Sequence, residues 1–519
     1  MPNKQPNILF IMSDDHGAQA ISAYGSGLNH TPNIDRLAQN GAILNHCYVN
    51  NSICTPSRAA ILTGTHSHVN GVTTLYTHLD NQLPNVAKYL KSAGYQTAMI
   101  GKWHLGEGPA HWPSGFDFWS ILPGQGDYFD PPMTENGKKI NPKGYTTEII
   151  TRKCSDWIKQ RDPDKPFFMM CHHKAPHRPW QYHPKYEDLF QEEIPYPASF
   201  DDKYENRAKA AAEARMRVES HMTYLDLDLV QPYIPAPDQE YSEMGKKTAQ
   251  MMVPFPQTDE ACKQLKLICS RTGEVFTFES RDQLKRFKYQ RYMQKYLRTV
   301  ASIDESVGEL LDVLESEGIA EDTMVIYTSD QGFFLGEHGW YDKRFIYEES
   351  FRMPFLVQYP RAIPAGSTID AMASNVDFAP TWLDYAGLPI PDFMQGFSMR
   401  PLLEGDEPED WQKTAYHRYW MNQDEDHNAY AHYGIRDHRY KLIYWYNEKL
   451  DVPGSNPATH PDKDWELFDL EADPLELRNC FCDPDKKDVV IRMLQLLDQK
   501  QAEIGDIPQH NSQQVIATL

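Results

Sequence analysis

Short apolar runs alternate with amphipathic stretches along most of the chain. Asn7–Met12 reads Asn-Ile-Leu-Phe-Ile-Met between polar residues, the unbroken apolar character of a strand buried on both faces. Similar runs lie at Gln96–Ile100, Phe167–Cys171, Met324–Thr328 and Phe355–Tyr359. Between the first two, Thr31-Pro32 opens a helical pattern that places Ile34, Leu37 and Ala38 on one side, with Thr as cap and Pro at the first helical position. Leu83–Ala93 and the long stretch Leu284–Leu314, which stops before Gly318, repeat the helical spacing. Strands and helices in alternation predict an α/β fold: a large, mostly parallel sheet flanked by helices on both faces.

Two regions break this rhythm. Residues 201–290 turn charged and irregular, with Pro clusters around Val230–Pro237 and at Pro254-Phe255-Pro256, and read as an insertion. Gly387–Pro401, rich in Gly and Pro, marks a boundary. Beyond it, short strand patterns at Tyr433–Arg436, Tyr440–Tyr446 and Trp465–Asp469 and a final helix at Val489–Ile504 predict a smaller α+β unit with an antiparallel sheet. The expected division is therefore 1–400 and 401–519, consistent with 519 residues being too many for one ordinary core.

Composition narrows the partners. With 51 basic against 73 acidic residues the net charge is -22, which argues against general attraction to nucleic acid or to an anionic membrane. An anionic substrate would need a local cluster of cations. No apolar run approaches the ~20 residues of a membrane span, and the first residues lack a signal segment. The expectation is a cytoplasmic protein as written, or a periplasmic or secreted one if a leader has been removed. Eight scattered cysteines form no disulfide framework, and Cys480-Phe481-Cys482 is too tight for a zinc knuckle, so all but Cys54 read as idle thiols.

Candidate chemistry gathers at strand ends. In an open parallel sheet ligands bind beyond the carboxyl ends of the strands, and Asp14, Asp15, Asp330 and Gln331 directly follow two predicted strands. One such Asp more often caps a helix; two converging pairs form a hard oxygen set suited to Ca2+ or Mg2+. Cys54-Thr55-Pro56-Ser57-Arg58, followed by Ala59-Ala60-Ile61-Leu62, sets a thiol and a fixed cation at a helix N-terminus, a place that favours an anion.

Taken in order, Ile11-Met12-Ser13-Asp14-Asp15, Cys54-Thr55-Pro56-Ser57-Arg58, Gly94–His104 and Thr328-Ser329-Asp330-Gln331-Gly332 resemble the signatures of the type I, formylglycine-dependent sulfatases of the alkaline phosphatase superfamily. Glu466–Pro474 extends the likeness into the second unit. The resemblance implies that a formylglycine-generating or maturase enzyme oxidises Cys54. It also implies that Asp14, Asp15, Asp330 and Gln331, with the modified Cys54, hold one cation, Ca2+ or else Mg2+. Gln331 departs from the Asn often found there but keeps an amide oxygen. A plain thiol would form an inert ester with sulfate; a hydrated aldehyde has one hydroxyl to attack sulfur and a second to release it. By the same likeness Arg58 anchors the hydrate, Lys102 binds it or the sulfate, His104 is the base, His177 binds sulfate and acts as the acid, and Lys343 is the second sulfate-binding lysine. These cations supply the local field that the net charge conceals.

Ser329–Trp340, Lys174–Arg178 and Asn375–Pro380 look most like bacterial carbohydrate sulfatases, nearest to those acting on 6-O-sulfated N-acetylglucosamine of glycosaminoglycans. Enzymes for 4-O-sulfated galactosamine or algal polysaccharides share much of this text. The implied partner is a sulfated saccharide, with neither nucleic acid nor membrane. His417 and Arg436, in aromatic-rich segments of the second unit, are candidate sugar contacts, with ordinary sheet filling as the equal alternative. Two other readings stand: a phosphonate or phosphate ester hydrolase of the same superfamily, and a sulfated-glycan binder without turnover if Cys54 stays unmodified.

Overall fold

Every residue of the Asn7–Ser13 strand is buried, and successive side chains point to opposite faces of the sheet. Ile8, Phe10 and Met12 enter one core and Leu9 and Ile11 the other. The computed structural model describes residues 5–232 and 255–519. The opening residues 1–4 and the Pro positions at 233–237 and 254 lie outside the described residues.

Ten strands form the large sheet. Their order is Ser367–Ile369, Ala42–Leu44, Phe355–Gln358, Thr323–Ser329, Asn7–Ser13, Phe167–His172, Gln96–Lys102, Phe118–Leu122, Met133–Glu135 and Lys138–Ile140. The run from Thr323–Ser329 to Phe118–Leu122 is parallel throughout. Phe355–Gln358 is a strand, as its apolar run predicts, but it lies antiparallel to its neighbours. The helices Cys54–Thr63, Val86–Ser92 and Phe378–Tyr385 cover one face, where Trp382 meets Phe10 edge-on at 4.9 Å. Pro32–Gln39, Thr146–Gln160 and Arg281–Ser316 cover the other. Each large side chain buried this way stabilises the fold by roughly 1.5–3 kcal/mol.

The stretch read as irregular is partly ordered by the N-terminal half of the Arg281–Ser316 helix. Leu229, Leu267 and Phe278 pack there against Tyr289, Tyr292 and Tyr296, and Leu229–Val230, Lys266–Cys269 and Val275–Thr277 form a small antiparallel sheet. Strands this short leave no period in the sequence. Near the C-terminus Ala415–Tyr419, His432–Arg436, Tyr440–Trp445 and Asp464–Asp469 form a four-stranded antiparallel sheet. The Lys487–Ile504 helix covers its outer face through Val490, Met493, Leu494 and Leu497. Its inner face brings Tyr419, Ile443, Trp445 and Phe468 into the same core as Phe345, Ile346 and Tyr347, just beyond Lys343.

All eight cysteines are free thiols, and only Cys482 is exposed. Among the described residues no helix is long and apolar enough to cross a membrane.

Gly101 shows how closely the central strands approach. Its φ is +109°, and a Cβ there would stand 1.8 Å from the His172 carbonyl oxygen of the neighbouring strand. Gly101→Ala is expected to cost roughly 3 kcal/mol or more, read as a fall in Tm on thermal unfolding. An unchanged Tm would show that the two strand ends can part freely.

Candidate active site

The register that pairs Ser13 with Ser329 and Met12 with His172 sets the following residues side by side at the carboxyl edge of the sheet. Asp14 N–H donates to Ala175 O at 3.2 Å, and Asp330 N–H to Ser13 O at 3.2 Å. Lys102 ends its strand, with His104 two residues on, and His177 follows the Phe167–His172 strand. Cys54 opens the Cys54–Thr63 helix, every residue of which is buried. No side chain caps that helix, so its free N–H groups and positive end remain at the site. The helix is pinned through Ser57, whose hydroxyl donates to Asp330 O and accepts from Asn375 Nδ2 at 3.1 Å; Asn375 Oδ1 in turn accepts from Asn50 N at 3.1 Å.

Cations and carboxylates interleave around Cys54. Lys102 Nζ bonds Asp14 Oδ2 and, at 2.5 Å, Gln125 Oε1. Lys343 Nζ bonds Asp15 Oδ1 at 2.5 Å, and His177 Nε2 lies 3.7 Å from Asp15 Oδ2. His104 Nδ1 faces Thr55 Oγ1 at 3.4 Å. The Arg58 guanidinium, 2% exposed, is turned to the ligand loops: Nε and Nη2 reach Asp330 Oδ2 at 3.0 and 2.8 Å, and Nη1 donates to Lys102 O at 2.8 Å. A buried guanidinium has to be paired, and the Asp330 carboxylate and the Lys102 carbonyl pair it here.

The electrostatics follow from burial set against these pairs. Burial penalises the Asp14 carboxylate, but Lys102, His177, Arg58 and Lys343 together outweigh it and hold its pKa well below the usual value. Asp15 is pushed up to about 7, chiefly by burial, with Asp14 and Asp330 adding to it against Lys343. Burial and then Asp14 also raise Asp330. Burial drives His104 well below its ordinary value, assisted by Lys102 and Arg58. His177 is likewise driven down by burial, with Asp14 opposing and Lys102 and Lys343 assisting. Both imidazoles are therefore neutral near pH 7.

Asp14, Asp15 and Asp330 offer oxygens within 4.8 Å of one another. Asp14 Oδ1, Asp15 Oδ2 and Gln331 Oε1 are buried without hydrogen-bond partners. Gln331 Nε2 donates to Asp15 Oδ1 at 2.5 Å, which leaves the amide oxygen free. Each such orphan costs about 1–3 kcal/mol, and a hard divalent cation satisfies all of them at once. The residues fit the group. Asp14, Cys54 and His177 form a second such set on the same point. Strain accompanies the cluster: Asp15 (φ 69°), His104 (55°), Asp342 (78°) and Arg344 (93°) adopt the left-handed region unfavourable to non-glycine residues.

The two candidate sugar contacts have partners of their own. His417 is fully buried; its Nε2 accepts the Ser52 N–H at 3.0 Å and its ring stacks on His432. It faces the large core from the C-terminal sheet and steadies the loop before Cys54. Arg436 pairs with Glu348 at 2.5 Å over the Tyr48 ring, lining a separate cavity of about 380 Å³ with His46, Glu337 and Arg352. Strand alternation gave their face but not what that face meets.

Other residues join the cluster without having been singled out by sequence. Gln125 sits in Gly124-Gln125-Gly126, a loop with no chemical signature, and its carbonyl accepts from Lys174 Nζ at 3.2 Å. Burial and the nearby Lys102 bring Lys174 down to about 8. Asp342 meets Arg344 and, at 3.2 Å, His427 Nε2. Adjacency to Lys174-Ala175-Pro176-His177 and to Lys343 was the only available signal for Lys174 and Asp342.

A model of the sulfatase family matches residues 6–388. The chain belongs to the sulfatase family. As a sulfatase it is a sulfuric ester hydrolase, and the family works with formylglycine and a divalent metal. A second model, of the N-sulphoglucosamine sulphohydrolase C-terminal region, matches residues 336–503. An N-acetylglucosamine-6-O-sulfatase of Bacteroides thetaiotaomicron is 44% identical over 97% of this sulfatase and 87% of its own length. A solved structure of a protein in complex with its substrate D-glucosamine-2-N,6-O-disulfate superposes with a TM-score of 0.83 at 42% identity, covering 97% and 98% of the two chains. The phosphonate monoester hydrolase of Agrobacterium radiobacter shares the fold, with a TM-score of 0.69 at 21% identity over 96% of each chain.

Removal of divalent cations by a chelator is expected to lower the Tm of this sulfatase, and Ca2+ at about a hundredfold excess over Kd to restore roughly 2–3 kcal/mol. Asp15→Asn should weaken that response in differential scanning calorimetry. A wild-type Tm indifferent to chelator and Ca2+ would reject the carboxylate cluster as a cation site.

Proposed function

We propose that this sulfatase removes the 6-O-sulfate from N-acetylglucosamine-type units of glycosaminoglycan sugars. It uses formylglycine made from Cys54 and Ca2+ held by Asp14, Asp15, Asp330 and Gln331. The observation that carries the chemistry is the convergence of Lys102, Lys343, His104 and His177 with three orphan oxygens at the buried N-terminus of the Cys54 helix. The sugar is supported by the 44% identical N-acetylglucosamine-6-O-sulfatase and by the neighbour complexed with D-glucosamine-2-N,6-O-disulfate.

When bound, a divalent cation polarises the sulfate oxygens and lowers the pKa of a hydroxyl beside it. A hydrated aldehyde at position 54 would supply the attacking hydroxyl and a second one for release. Lys102 and Lys343 set two fixed charges toward the sulfate, each held in place by its carboxylate. His177 Nδ1 donates to Arg178 O at 2.8 Å, so Nε2 is the atom that faces the site and exchanges a proton. With Nδ1–H held by that carbonyl and the ring neutral, Nε2 has to gain a proton when the anionic sulfate binds, and that proton passes to the departing sugar oxygen. His104, neutral through burial, accepts the proton from the second hydroxyl. Arg58 positions the Asp330 loop against Lys102. The unit 401–519 meets the segment beside Lys343 through Asp424, which lies 3.7 Å from Arg344. Production of active protein requires a formylglycine-generating or maturase enzyme as partner.

Cys54→Ala should abolish sulfate release from 6-O-sulfated N-acetylglucosamine, and His104→Ala should lower kcat by about 10²–10⁴, with Tm close to wild type. Near-wild-type turnover in either variant would overturn the mechanism. A panel of 2-, 4- and 6-O-sulfated sugars tests the position of the ester, and faster phosphoryl than sulfuryl release from matched esters would overturn the sulfate assignment.

A further inference from the structure

Tyr76 is 53% exposed, more open than any other Phe, Tyr or Trp among the described residues. Solvent exposure of an aromatic ring is unremarkable by itself, but this ring is fixed between two loops that both lead to the active site. On the catalytic side, Leu79 N–H donates to Leu105 O at 3.0 Å, next to His104, and Asn51 Nδ2 donates to Thr73 O at 3.2 Å, three residues before Cys54. On the other side, the ring lies against Gly454: a Cβ there would stand 2.3 Å from Tyr76 Cδ2 and 3.0 Å from Met421 Cε. The Gly454 loop is tied to the segment that meets Arg344, next to Lys343, since Asn422 N–H donates to Ser455 Oγ at 2.8 Å, Asn456 N–H donates to Asn422 O at 2.7 Å, and Asp424 faces Arg344. The turn that carries Tyr76 is itself locked: Thr74 N–H donates to Thr77 Oγ1 at 2.9 Å, and Thr77 Oγ1 donates to Thr74 O at 2.9 Å.

Tyr76 therefore bridges the loop beside His104 and the 421–424 segment that meets Arg344, next to Lys343. A preorganised ring can bind an apolar sugar face with little loss of side-chain freedom. Cys54 and its surrounding groups are buried, so a sulfated terminal sugar fills the pocket and the sugar joined to it must run out over the rim. We propose that Tyr76 is the stacking platform for that second sugar, making it a determinant of specificity for an oligosaccharide over a free monosaccharide. The inference rests on the sulfated-sugar reading above.

The test compares wild type, Tyr76→Ala and Tyr76→Phe on 6-O-sulfated N-acetylglucosamine and on a disaccharide bearing the same sulfated unit at its non-reducing end. For Tyr76→Ala, kcat/KM on the disaccharide should fall by about tenfold relative to its change on the monosaccharide, mostly through KM; Tyr76→Phe should retain the wild-type ratio. Equal changes on both substrates, or none, would overturn the platform. Failure of wild type to release sulfate from either sugar would instead overturn the sulfated-sugar reading. Matching Tm values for the three proteins separate loss of the ring from loss of the fold.

Discussion

Three carboxylates crowded at two neighbouring strand ends set the terms for the rest of the molecule. Burial alone would force them toward neutrality, and the ordinary remedy, exposure to water, is unavailable beneath the Cys54 helix. The protein offsets the charge with Arg58, Lys102 and Lys343, each delivered by a different segment. Because removing one partner of a buried pair leaves the other unpaired, these contacts are strongly interdependent. The polar chain from Asn50 through Asn375 and Ser57 to Asp330 extends the same dependence to the start of the helix.

Much of this arrangement was legible in the sequence, for a physical reason. Strands buried on both faces need unbroken apolar runs, and the residues that follow such runs in a parallel sheet stand at one edge; hence Asp14, Asp15, Lys102 and Asp330 could be placed beforehand. Direction was not legible at Phe355–Gln358, because an apolar run reads alike for parallel and antiparallel pairing. Ala415–Tyr419 hid its strand behind Tyr416, His417 and Arg418, whose polar groups find partners only in the folded chain, Asp506 among them. His417 and Arg436 stayed open between sugar contact and sheet filling for the same reason: aromatic and basic residues in a short strand do not disclose whether their face meets substrate or core.

The two units predicted from the chain are joined more intimately than a Gly- and Pro-rich boundary suggests. Phe345, Ile346 and Tyr347 belong to the large core and also receive the inner face of the C-terminal sheet. Lys343 stands immediately before them. The position of Lys343 thus depends on packing between the units, and the loop from Met421 to His427 reaches Asp342 and Arg344 on either side of it.

The burial of Cys54, with 1% of its surface exposed, imposes an order of events. On the proposed chemistry its Cβ must be oxidised to an aldehyde, with loss of the sulfur, by another protein, yet in the finished fold nothing of that size can reach it. The modification is therefore a step of biosynthesis, completed while the Cys54–Arg58 segment is still an accessible peptide. A chain that folds first is committed, with every contact in place, to an inert thiol.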